Sequence, residues 1–112
     1  MKYIALILLL TLVLLPVHIS SAIAGDVTTD ISLPTVQCGM CEKTISKALD
    51  KVKGIKEYDI DIDNKKVKVV FDDEVTDLTK IETAISKAGY AANESKADQK
   101  AYDKLHDCCK VK

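Results

Sequence analysis

Cys38 and Cys41, in the run Thr35-Val36-Gln37-Cys38-Gly39-Met40-Cys41-Glu42, are spaced to act together. A C-x-x-C pair that closes a β-like stretch and opens an amphipathic helix can converge on one soft ion, or join as a disulfide. Sulfur at a helix N-terminus is favoured as thiolate, because the unpaired backbone N–H groups there stabilise negative charge. Thiolate both binds metal and attacks disulfides, so the position itself points to chemistry. A second pair, the vicinal Cys108-Cys109, follows His106 near the C-terminus. Four cysteines in a small exported chain ordinarily form a disulfide framework. These four are clustered in two pairs instead of spread to staple distant loops, a pattern closer to ligands or redox couples.

The elements that position these thiols are written in the hydrophobic pattern. Met1-Lys2-Tyr3, the apolar run Ile4 to Leu15 and the small residues Ser21-Ala22-Ile23-Ala24 have the layout of a secretory signal peptide over residues 1–24. About a dozen apolar residues fall short of the roughly 20 that span a bilayer, so the expectation is cleavage and no stable membrane insertion. Residues 25–94 then read as one domain, and 95–112 as a polar tail.

Asp30 to Val36 alternates as a first strand, with Pro34 confined to an unpaired position. Ile45, Ala48, Leu49 and Val52 share one face of a helix that Gly54 ends. Tyr58, Ile60 and Ile62 alternate with acids, and after Asn64-Lys65 the residues Val67, Val69 and Phe71 alternate with Lys66, Lys68 and Asp72. This is a hairpin whose acidic and lysine faces lie side by side. Thr76 or Asp77 caps a second helix with Leu78, Ile81, Ile85 and Ala88 on one face. Gly89 stops it, and Tyr90-Ala91-Ala92 reads as a last strand. The sum is an α+β, ferredoxin-like β-α-β-β-α-β sandwich with a four-stranded antiparallel sheet and two helices. Beyond it, Ala97 to Leu105 has the pattern of a tail helix.

A C-x-x-C at the junction of strand one and helix one, within this order of elements, resembles the heavy-metal-associated domain. The resemblance covers Ile31 to Asn93. Cys38 and Cys41 match that family's two ligands, Ile45 and Leu49 its helix aliphatics, and Gly89-Tyr90 the dipeptide before its last strand. It implies that Tyr90 lies close to the metal loop. Val36 stands where the family has a Met under the loop, and Met40 where it prefers a small or polar residue; Met40 reads as a cover for the site, or as a weak soft donor. Cys108 and Cys109 have no counterpart in the common motif.

Two thiolates suit a soft d¹⁰ ion such as Cu(I) or Hg(II), while zinc wants four ligands and is the weaker candidate. An ion held by two surface sulfurs stays open to attack by a partner's thiols, which suits carriage. The expectation is therefore a periplasmic or secreted, monomeric soft-metal carrier. Cys38 would be the exposed, exchange-competent ligand and Cys41 the second. Cys108 and Cys109, with the His106 imidazole, would be auxiliary donors. Its partner would be a membrane metal transporter or P-type ATPase.

Other classes fare worse. All 16 basic residues are Lys, against 17 acids, and there is no Trp, which excludes nucleic-acid binding. Thioredoxin-like redox chemistry lacks a proline downstream of the dithiol, since only Pro16 and Pro34 exist. A structural role with all four thiols in disulfides stays open as an alternative. Asp59, Asp61 and Asp63 lack the Gly and Glu of a calcium loop. His106 is the one histidine after the leader, so no catalytic triad can be assembled and no enzyme activity is expected.

Overall fold

A computed structural model describes residues 25–111; the leader expected over 1–24 lies outside them. Three strands form one antiparallel sheet in the order β1-β3-β2, with β1 at Asp26–Ser32, β2 at Ile55–Asp61 and β3 at Lys66–Asp72. Helix α1 (Gly39–Asp50) joins β1 to β2, and α2 (Leu78–Lys87) follows β3. Both helices put their apolar stripes on the same sheet face. Ile45 and Leu49 from α1, Ile81 and Ile85 from α2, and Ile31, Val67, Val69 and Phe71 from the strands make a continuous buried core. Among the described residues no helix is long and apolar enough to cross a membrane.

The outer sheet face follows the charge pattern. Lys68 on β3 lies opposite Asp30 on one side and Asp59 on the other, and Lys66 faces Asp61. Such cross-strand pairs contribute a few tenths of a kcal/mol each. The β2–β3 turn is held by the Asp61 carboxylate, which accepts from the backbone N–H of Asn64 (3.0 Å) and from its side-chain amide (2.7 Å). These bonds depress the Asp61 pKa. Tyr58 is only half-buried, and its hydroxyl donates to Asp50 at 2.6 Å. It therefore ties β2 to α1 as well as packing.

Two expectations about the sheet need correction. The first strand runs over Asp26–Ser32 and not 30–36. Val27, Thr28 and Thr29 supply β-branched residues upstream, and Pro34, lacking an N–H, sits in a turn closed by Val36 N–H to Leu33 C=O (3.2 Å). The fourth strand is absent among the described residues. Ala91 gives its N–H to the Thr35 hydroxyl at 3.1 Å, and Ala92 bridges only to Ser95. Asn93, at φ 51, then turns the chain aside. Before it does, Asn93 makes a two-pronged contact with the end of β1: its N–H donates to Ser32 C=O, and its side-chain oxygen accepts from Ser32 N–H, both at 2.8 Å. One residue thus replaces a strand.

The tail is shorter in helix than its pattern predicts, with α3 at Gln99–Asp103 and a 3-10 turn at Asp107–Cys109. It docks on the domain. Asp98 N–H donates to Ser86 C=O at 2.9 Å, and Gly89, at φ +102, lets the Ala101-Tyr102 peptide approach so closely that a β-carbon there would stand 3.1 Å from backbone atoms. Leu105 packs against the core, and the 3-10 turn lies against α1.

Candidate metal centre

The loop from β1 to α1 is anchored from below and open above. Leu33 and Val36 are fully buried, so Val36 fills the position under the loop. Cys38 is the N-cap of α1, extended at φ −154, and its carbonyl accepts from Cys41 N–H at 3.0 Å. The cap leaves Cys38 half-buried while one helical turn carries Cys41 inward, where it is fully buried and accepts from Gln37 N–H at 3.4 Å. The two sulfurs stand 3.9 Å apart.

The docked tail brings the second pair to the same place. Cys108 Sγ lies 3.4 Å from Cys38 Sγ and 3.7 Å from the Met40 thioether. Cys109 Sγ lies 3.9 Å from both Cys38 and Cys108. Cys109 is only 1% exposed, whereas Cys108 faces solvent. Within the C-x-x-C pair Cys38 is more exposed than Cys41, and of the four thiols Cys108 is the outermost. His106 meets this group through its backbone carbonyl alone, and among the described residues the cluster of potential ligand atoms consists of Cys38, Cys108 and Cys109, without the His106 imidazole. Among the described residues all four thiols are free.

Electrostatics divide the sulfurs. Cys38 is brought down to about 7, first by its hydrogen bond with Cys108 and then by the amides of Met40 and Cys41 at the start of α1. While Cys38 keeps its proton it donates to Cys108; once ionised it accepts, and Cys108 holds the shared proton. The same bond raises the Cys108 pKa. Burial, followed by the neighbouring Cys41 thiol, pushes Cys109 up to about 12. Near neutral pH Cys38 is thus the thiol readier to ionise than Cys108 and Cys109, with the Cys108 proton placed to share its charge. Tyr90 is fully buried beside Cys41 and Cys109, its hydroxyl makes no hydrogen bond, and burial holds its pKa far above the ordinary phenol value.

Met40, at 43% exposed, forms the rim of a shallow depression of about 860 Å³ that Cys38, Gly39, Lys43, Lys47 and Cys108 also line. A second depression of about 630 Å³ between α1 and α2 is lined by lysine, threonine, alanine and valine and contains no sulfur. Only the first offers donors for a soft ion.

This arrangement defines a class: small α+β domains presenting sulfur donors at a strand-to-helix bend. The chain belongs to the heavy-metal-associated domain family, whose model matches residues 30–91. It is 32% identical over 79 residues to the mercuric transport protein periplasmic component of Acinetobacter calcoaceticus, covering 70% of this chain and 87% of that one. Oxidized MerP from Ralstonia metallidurans CH34 superposes with a TM-score of 0.59 at 32% identity, covering 62% of this chain and 96% of that one. The yeast copper transporter domain CCC2A, solved in apo and Cu(I)-loaded states, gives 0.55 at 25% identity, covering 62% and 93%. The family and these relatives are metal-associated and transport proteins, not enzymes. The tail bearing Cys108 and Cys109 lies beyond residues 30–91, which the family model matches.

Proposed function

We propose that this protein is an exported carrier that holds Cu(I) or Hg(II) through Cys38 and Cys41 and passes it on by ligand exchange. The observation that carries the reading is the pair of sulfurs 3.9 Å apart, one buried and one at the lip of an open depression. Two thiolates select soft ions, and an accessible site lets an incoming thiolate bond to the ion before the old ligand leaves. The names of the relatives support mercury and copper as cargo, and a periplasmic location agrees with the leader expected over residues 1–24. The receiving partner is a membrane metal transporter or ATPase with exposed thiols of its own. Zinc is the weaker cargo for a two-sulfur site.

Intact-protein mass spectrometry under competing Cu(I), Hg(II) and Zn(II) tests the reading. One soft ion per chain is expected for the wild type, and none that survives competition for Cys38→Ser/Cys41→Ser. Equal retention by both proteins would overturn it.

A further inference from the structure

The tail is the part of the molecule that family membership does not explain, yet it delivers two sulfurs across 70 residues of sequence. Its docking is built from several independent contacts. The backbone meets Gly89 and Ser86, Leu105 and Cys109 pack with the core, and the 3-10 turn lies against α1; within the tail, the Val111 N–H donates to the Tyr102 hydroxyl at 2.9 Å and the Cys109 N–H to His106 C=O at 2.8 Å. A segment fixed at this many points places its thiols by structure, not by chance encounter.

The spacing of the sulfurs carries the argument. Cys38, Cys108 and Cys109 form a triangle with edges of 3.4, 3.9 and 3.9 Å. A point equidistant from its corners lies about 2.2 Å from each sulfur, close to the metal–thiolate length of about 2.3 Å. A linear two-thiolate ion with bonds of that length needs sulfurs roughly 4.5 Å apart. Cys38 and Cys41, at 3.9 Å, would have to spread to reach it. The triangle needs no such movement.

We propose that the docked tail makes a three-thiolate seat in which Cys38, Cys108 and Cys109 hold one Cu(I), and that Cys108 is the sulfur by which the ion enters and leaves. This rests on the carrier reading above and extends it. Cys38 belongs to both donor sets, so the ion can shift between the Cys38/Cys41 pair and the triangle without leaving the protein. Each thiol that binds gives its proton to solvent, and no electron is transferred. On delivery a partner thiolate bonds to the ion, the bond to Cys108 breaks, and Cys108 takes up a proton. One monovalent ion and three thiolates leave two negative charges; Lys43 and Lys47 line the adjoining depression with Glu42, a net positive lining that offsets part of them. Among the four thiols Cys108 is the exposed one, which fits it for first contact.

X-ray absorption spectroscopy on the full chain loaded with one equivalent of Cu(I) is the test. Three sulfur neighbours are expected for the wild type. Two at shorter distance are expected for Cys108→Ser and for Cys108→Ser/Cys109→Ser, with Cu(I) affinity at least tenfold weaker in competition with a chromophoric chelator. Cys108→Ser alters an exposed position, so it keeps the test valid even where the double variant loses packing. Two sulfurs in the wild type, with uptake still abolished in Cys38→Ser/Cys41→Ser, would overturn the seat and leave the carrier intact. Uptake unaffected by Cys38→Ser/Cys41→Ser would remove the carrier reading itself.

Discussion

At the scale of single residues, Cys38 differs from its neighbours in charge before it differs in anything else. Its thiol titrates at about 7, so in metal-free protein its alkylation rate should climb as pH rises through that value and level off above it. The ionised form gains the hydrogen bond from Cys108, so the largest part of the depression persists only while the tail supplies that proton, the Met40 and Cys41 amides supplying the rest. Replacing Cys108 with Ala should move the midpoint up toward the ordinary 9.0 of a free thiol. Mass-resolved alkylation across pH checks both, and an unmoved midpoint would show that the helix amides act alone. The Cys38/Cys41 spacing was readable because one helical turn brings the first and fourth residues of a C-x-x-C to the same end. The nearness of Cys108 was not. It depends on the path of the whole tail, of which the local pattern records only a polar, helix-prone spacer.

At the scale of elements, the tail is held by a glycine. Gly89 both terminates α2 at a positive φ and leaves room for the Ala101-Tyr102 backbone. Gly89→Ala should cost about 1–3 kcal/mol in urea unfolding. It should also make buried Cys109 open to alkylation, because the new methyl pushes α3 away. The stop at Gly89 was legible as helix punctuation, but its second role was not, since close approach is a property of three dimensions. The hairpin from β2 to β3 and both main helices were legible because each has a clear period and a turn signal. The last strand misled because alternation over Tyr90-Ala91-Ala92 is too short to outweigh Asn93. That residue meets the β1 backbone with its own amide and then bends away. The first strand shifted because Pro34 ends a ladder more firmly than the Ile31-Leu33 alternation extends it.

At the scale of the molecule, one core supports both the sandwich and the thiol cluster. Cys41 and Cys109 are members of the same buried set as Leu49, Ile45 and Tyr90. Leu49→Ala should lower stability by about 2–5 kcal/mol through the cavity it leaves. Chemical denaturation followed by circular dichroism measures this, and Cu(I) should restore part of the loss, because a ligand bound only by the folded chain stabilises it by mass action. Exposed charges contribute little: the Lys56–Asp26 pair at 2.6 Å is half in water, where solvent screens it.

The two-pronged Asn93 contact has a consequence for life at high concentration. Among the described residues no fourth strand lies beside β1, which is there a sheet edge, and naked edges invite chains to stack into aggregates. Asn93 occupies the hydrogen-bonding groups of Ser32, and the exposed aspartates at 26 and 30 repel an approaching copy of the same edge. A small domain can thereby leave its sheet incomplete and still discourage edge-to-edge stacking.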